Sequence, residues 1–136
     1  MAGLTGSLLD TSVLISHDEG GRLDLPEAAA ISVITLGELR AGVVIVRNRR
    51  VAEARRRRLA AVRAAFVPLP VDETVAERYG DVLAVARSQR RAAKATDVLI
   101  IATAAATGRL LFTLDGAQAG LAEAAGIRVR LSPSPR

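Results

Sequence analysis

Apolar residues along this chain come in short runs that break off at single acids or hydroxyls, and the runs alternate between two periodicities. Ser7-Leu8-Leu9 reads as a short buried strand, with Thr11 or Ser12 able to cap a short helix after it. A turn-rich stretch, His17 to Gly21, follows. From about Ser32 to Val46 apolar side chains recur at helical spacing, and Arg50 to Ala65 reads as a second, basic helix antiparallel to the first. The prolines of Val67-Pro68-Leu69-Pro70 restrict that segment to a short or edge strand, and Asp72 then starts a helix running to about Gln89. Thr96 is expected to cap the next helix. Leu110 to Thr113 is a strand, Gly116 to Ala125 a helix, and Ile127 to Leu131 an alternating final strand, with 131–136 running into a flexible tail. Strands alternating with helices predict an α/β fold in one domain over 1–136, a central parallel sheet covered on both faces.

Within this pattern four acids stand among apolar or small neighbours. Asp10 ends the first strand, and Asp115 follows Leu110-Leu111-Phe112-Thr113-Leu114. Asp97 opens the run Val98-Leu99-Ile100-Ile101-Ala102. Glu38 has Ile34, Thr35, Ala41 and Gly42 as its helical neighbours, so it is expected to look inward. In an open parallel sheet the ligand crevice lies at the carboxyl ends of the strands, where Asp10 and Asp115 both stand. Each acid has an ordinary alternative: a helix start for Asp97, turns for Asp10 and Asp115, a partly exposed helix face for Glu38. Jointly they predict one buried acid cluster. Four carboxylates in one site repel unless protonated or neutralised, and oxygen-only ligands suit a hard cation such as Mg²⁺, with Mn²⁺ a substitute. The chemistry expected of such a site is metal-dependent phosphoryl transfer.

Charge points the same way. The chain carries 19 basic residues against 14 acids, and all but Lys94 of the bases are arginine, which grips phosphate bidentately. Seven of the twelve residues from Arg47 to Arg58 are arginine. Contact with RNA and a plain solvated helix face are both open readings of that segment. With Phe66, Tyr79 and Phe112 the only aromatics, base stacking is not the main grip. Lys94 reads as an exposed loop lysine.

Other chemistries are excluded or disfavoured. The chain has no cysteine and one histidine, His17, which rules out thiolate chemistry and a histidine acid–base pair. No phosphate-binding or dinucleotide glycine pattern is present. The longest apolar segment, Val98 to Ala106, is too short to span a bilayer, and the start of the chain lacks a basic, apolar leader; a soluble cytoplasmic protein is expected.

Leu9-Asp10-Thr11-Ser12, Thr35-Leu36-Gly37-Glu38-Leu39-Arg40-Ala41-Gly42, Ala95-Thr96-Asp97-Val98-Leu99-Ile100-Ile101-Ala102 and Thr113-Leu114-Asp115, in this order and spacing, resemble a PIN-domain ribonuclease, most like the VapC-type toxins of bacterial toxin–antitoxin pairs. The resemblance covers essentially the whole chain. It implies a PIN-like three-layer fold, Asp10, Glu38, Asp97 and Asp115 as catalytic, metal-binding acids, Thr11 or Ser12 and Thr113 as hydroxyls of the site, whose ordinary role is helix capping or strand-end bonding, and Mg²⁺-dependent cleavage of RNA. It further implies a homodimer and a VapB-type antitoxin, for which Leu36, Leu39, Val43 and Val46 of the helical hairpin offer an apolar groove or, equally, are ordinary core. The rival reading is a catalytically inactive PIN-like module that binds RNA or protein. One departure stands out: many relatives read Thr-x-Asn-x-x-Asp at the last motif, and here Asp115 takes the Asn place and Gln118 the later acid place.

Overall fold

The computed structural model describes residues 6–18, 26 and 28–132. Five parallel strands form one sheet: β1 (Ser7–Leu9), β2 (Ala29–Ser32), β3 (Val67–Leu69), β4 (Leu110–Thr113) and β5 (Val129–Leu131), in the order β3-β2-β1-β4-β5. The described helices are α1 (Thr11–Asp18), α2 (Val33–Ile45), α3 (Arg49–Ala65), α4 (Glu73–Ser88), α5 (Ala95–Thr107) and α6 (Gly116–Ala124). The chain winds outward from β1 to β2 and β3, then crosses back to place β4 on the other side of β1. The two windings diverge between β1 and β4, so a crevice opens at the carboxyl ends of these two strands.

Strand alternation divides the interior into two cores. Leu8, Ala30 and Leu111 face one way, against Val82 and Ala86 of α4, Val98, Ile101 and Ala104 of α5, and Leu121 of α6. Leu9, Ile31 and Phe112 face the other way, against Val13 and Leu14 of α1, Leu39 of α2 and Val62 of α3. The result is a three-layer sandwich with α1 to α3 on one face and α4 to α6 on the other. Helix α5 has apolar residues on nearly every side because it is enclosed: Val98, Ile100, Ile101, Ala102 and Ala104 are fully buried. Each such side chain contributes about 1.5–3 kcal/mol if large and aliphatic.

Several expectations need correction. The strand β2 is absent from the sequence reading because Ala28-Ala29-Ala30 has helical composition and the strand passes straight into α2; Ser32 is its last residue and also the cap, accepting a hydrogen bond from Ile34 N–H at 3.0 Å. Thr96 does not cap α5. The helix begins at Ala95, after Lys94, which makes no side-chain cap bond, so Thr96 already lies in the first turn. His17, expected in a turn, belongs to α1, while 19–21 lie outside the described residues. The last strand is shorter than Ile127–Leu131 because Ile127 N–H closes the end of α6 on Ala122 O at 2.9 Å. Leu131 of the expected tail pairs with Thr113 in the sheet, and 133–136 lie outside the described residues. On the hairpin, Leu39 and Val43 are core, and it is Val44 and Ile45 that face outward.

Entry into β1 depends on Gly6. Its φ of +84° lies in the left-handed region, and a Cβ there would stand 2.1 Å from Ala28 O, against backbone rather than a movable side chain. Gly6 O also accepts from Leu110 N–H at 3.1 Å, coupling this residue to β4. Gly6→Ala is therefore expected to destabilise the fold by about 3 kcal/mol or more, since backbone strain alone costs about 1–3 kcal/mol and the clash adds to it. Urea denaturation of the two proteins measures this; a midpoint unchanged by the substitution contradicts the assignment.

Candidate active site

The carboxyl ends of β1 and β4 deliver two of the four acids. Asp10 N–H donates to Phe112 O at 2.9 Å, so the strand pairing extends one residue past β1 and holds Asp10 in place. Only 5% of Asp10 is exposed. Its Oδ2 accepts from Ser12 N–H at 3.1 Å, so the carboxylate itself caps the start of α1, in place of the Thr11 or Ser12 hydroxyl expected there. The Ser12 hydroxyl accepts from Leu114 N–H at 3.1 Å and so ties the turn after β1 to the turn after β4. Asp115 caps α6, its Oδ1 accepting from the N–H groups of Ala117 and Gln118 at 2.9 and 3.2 Å. It is exposed, in contrast to the buried position expected.

The other two acids arrive on helices. Glu38, half-buried on α2, accepts from the Thr11 hydroxyl at 2.7 Å. Thr11 Oγ1 also lies 3.0 Å from the hydroxyl of Thr35, which is fully buried one turn before Glu38. With one proton to give, Thr11 serves the carboxylate on the shorter, charge-assisted bond. Asp97 is half-buried in the first turn of α5. Its carboxyl is held above its ordinary value of 3.8 by burial first, then by Asp10, Asp115 and Glu38, with Lys94 opposing. Asp97 thus senses all three other acids, which makes the four one electrostatic unit. The predicted buried cluster is in fact graded, from Asp10 at the bottom through Glu38 and Asp97 to Asp115 at the rim.

Two residues of this site had no role assigned from sequence. Gln118 is 3% exposed, and its side-chain amide donates to Asp10 Oδ1 at 3.2 Å. The Thr113 hydroxyl lies 2.7 Å from Gln118 Oε1 and 3.4 Å from Asp10 Oδ2, so its proton goes to the glutamine, while its oxygen accepts from Asp115 N–H at 3.0 Å. Gln118 therefore stands where the resemblance expects an acid, and instead of repelling Asp10 it donates to it. Its spacing, three residues into a helix that Asp115 caps, was the available signal. Thr35 lay within a quoted motif, but its pairing with Thr11 across 24 residues has no local signature.

A cleft of about 420 Å³ opens at the rim, lined by Lys94, Asp97, Asp115, Ala117, Gln118 and Leu121. Among the described residues no three acids already converge as a ligand set for one ion. The donor chemistry nevertheless fits a hard divalent cation: every candidate ligand is a carboxylate oxygen, and burial and the other three acids hold Asp97 above its ordinary value with Lys94 opposing. His17 is exposed on α1, away from these contacts.

Residues 7–124 match the family model described as PIN domain. The chain is 42% identical over 100 residues to Ribonuclease VapC8 of Mycobacterium tuberculosis (strain CDC 1551 / Oshkosh), covering 71% of this chain and 88% of that protein. To Ribonuclease VapC5 of strain H37Rv it is 34% identical over 128 residues, 90% and 92% of the two chains. Among solved structures, VapBC-5 from M. tuberculosis, a member of the VapBC family of toxin–antitoxin systems, superposes with a TM-score of 0.82 at 29% identity, covering 94% of this chain and 99% of that one.

Two outcomes follow from the geometry. Gln118→Ala leaves Asp10 Oδ1 and the Thr113 hydroxyl without a buried partner and should cost about 1–3 kcal/mol in a denaturant melt, whereas an exposed glutamine would cost almost nothing. For Asp97, the raised folded value means that the proton binds better in the folded state. Its contribution to stability is fully present below about 3.8, the unfolded value, and is lost as pH rises through the folded value. In excess chelator Asp97→Asn should therefore melt higher than the parent at pH 7, and the gap should close on acidification towards pH 4; an equal or lower melting temperature at pH 7 counts against the shared field.

Proposed function

The chain belongs to the PIN-domain family, among its VapC-type members, and from that premise we propose that it is the ribonuclease toxin of a toxin–antitoxin pair, a Mg²⁺-dependent endoribonuclease that hydrolyses RNA phosphodiester bonds. The observation that carries the reading is the gathering of four acids at the crevice between β1 and β4, where burial first and the other three carboxylates next raise Asp97 and a cation would offset them. Asp10, Glu38, Asp97 and Asp115 would hold the ion. When bound, Mg²⁺ supplies Lewis acidity toward water and offsets charge at the scissile phosphate, with Mn²⁺ able to substitute. The chain's own residues do the positioning. Thr11 and Thr35 orient the Glu38 carboxylate, while Ser12 N–H and the Gln118 amide hold both oxygens of Asp10. Lys94, at the cleft rim beside Asp97, is placed to meet a substrate phosphate. Asp115 stands where many relatives carry Asn and Gln118 where they carry the later acid, so the swap keeps the number of carboxylates and moves one of them to the rim.

The rival, an inactive module that binds RNA or protein, gives no reason for keeping mutually repelling carboxylates. The partners proposed with the activity are an RNA substrate, a VapB-type antitoxin that neutralises the acid crevice with a basic side chain, and a second copy of the chain in a homodimer. The toxin–antitoxin assignment of the 29%-identical neighbour supports the second of these. None of the described helices is long and apolar enough to cross a membrane, in keeping with a cytoplasmic site of action.

Loss of an outer partner of a metal ligand typically costs about 10–100-fold, so Asp10→Asn, Glu38→Gln, Asp97→Asn or Asp115→Asn should each lower RNA cleavage by more than about 100-fold while leaving the protein folded. Excess chelator should stop cleavage and added Mg²⁺ or Mn²⁺ restore it. Parental rates in two or more of these variants, or undiminished cleavage in chelator, would reject the metal mechanism.

A further inference from the structure

The positive charge of the protein is not spread over its surface. Between Val33 and Ala65 lie nine of the nineteen basic residues, all arginine, and two of the fourteen acids, Glu38 and Glu53; that quarter of the chain carries +7 and the remainder, with ten bases and twelve acids, carries −2. The whole excess sits on the hairpin of α2 and α3. Helix α3 contributes little to the core, with Val62 its one fully buried residue, so its sequence is not dictated by packing.

The arginines of α3 are ordered. Arg49, Arg56 and Arg63 are spaced at seven residues, as are Arg50 and Arg57, and a seven-residue step turns a helix by nearly two full turns. All five are exposed; Arg49, Arg56 and Arg63 form one line beside Leu59 and Arg50 and Arg57 a second line about 100° further round the helix, in rungs about 10.5 Å apart over about 21 Å. Glu53 pairs with Arg56 at 2.7 Å and lies 3.8 Å from Arg57, both exposed contacts of small worth. Among the described residues Arg49, Arg50 and Arg63 make no salt bridge. The bond from Arg55 Nη1 to Gly42 O at 3.0 Å sets the antiparallel register of the hairpin and brings Glu38 to about the level of Leu59, between the Arg56 and Arg63 rungs. The ladder therefore runs from the hairpin tip to the height of the acid site.

We propose that this face of α3 is a track for the phosphate backbone of a structured RNA stem, holding the substrate while the crevice acts on an unpaired segment of it. The proposal rests on the nuclease reading and adds the recognition step. A regular line of guanidinium groups fits a regular line of phosphates, and the scarcity of aromatic residues removes stacking as the alternative grip. The track contacts no base edge, so it binds by shape and charge, leaving sequence choice to the crevice.

The test separates binding from cleavage. In the full-length protein Arg49, Arg50, Arg56, Arg57 and Arg63 are changed together to Gln, which keeps helix propensity, on an Asp97→Asn background for binding and on the parental background for cleavage. Anisotropy of a fluorescein-labelled RNA hairpin at several salt concentrations should show the slope of log affinity against log salt reduced by about 3 or more, each lost phosphate contact being worth about 0.7–0.9. Cleavage of that hairpin should fall at least tenfold, while cleavage of an RNA tetramer too short to reach the track is unchanged. Glu53→Gln, which frees both arginines of one rung, should bind more tightly, and the Arg56→Gln/Arg57→Gln pair more weakly; these two variants decide the matter should the fivefold one not fold. An unchanged salt slope overturns the track even if cleavage is intact. Equal or tighter binding of duplex DNA, or displacement of the RNA by polyglutamate of matched charge, overturns the RNA assignment in favour of DNA or of an acidic protein segment. A reduced slope in a protein whose parent cleaves neither RNA supports the track and removes the nuclease reading.

Discussion

Everything at the site depends on the parallel pairing of β1 with β4. Leu8 and Leu9 align with Leu111 and Phe112, and the bond from Asp10 N–H to Phe112 O carries that alignment past the end of the strand. This single rung brings Asp10 beside Thr113 and Gln118, more than a hundred residues on, and the turn that follows places Asp115 at the start of α6. A slip of one residue in the register would send Asp10 to the other side of the sheet and dissolve the site. The fully buried Leu9 and Phe112 on one face and Leu8 and Leu111 on the other oppose such a slip.

The acids that the pairing brings together oppose folding, and the surrounding hydrogen bonds are arranged to limit the cost. Asp10 is the most buried of the four and the best satisfied, with a backbone N–H on one oxygen and the Gln118 amide on the other. Glu38 has the Thr11 hydroxyl. Asp97 is the one on which the burden falls, since burial and three carboxylates all act on it and only Lys94 acts in the other direction. A cation entering between them would relieve what the protein leaves uncompensated. The exposed arginines of α3 lie outside the crevice, so the molecule keeps its two charges apart: a negative crevice at the strand ends and a positive ladder on α3.

Much of this was legible in the chain. The apolar runs ending at Asp10 and Asp115, the wholly apolar continuation after Asp97, and the prolines around Leu69 each state a local fact about burial or edge position, and local facts survive translation into the fold. What failed was what depends on neighbours. The alanines before Ile31 carry no strand signature, and β2 exists because β1 and β3 pair with its two edges while the helical layers bury its two faces. Thr96 has the chemistry of a cap, but the turn of α5 had already begun at Ala95.

The sequence by itself determined the alternation of strands and helices, the identity of the four acids and the confinement of positive charge to one hairpin, because each is written in residue type and spacing. Only the tertiary structure decided how deeply each acid sits, that Asp115 spends one carboxylate oxygen capping α6, and that Gln118 and Thr35 belong to the site. Apart from the Asp115 cap, whose bonds to Ala117 and Gln118 are local, those properties are set by contacts between residues 5 to 108 positions apart. Periodicity records which way a side chain faces along its own element; it holds no information on which partner the fold will bring opposite.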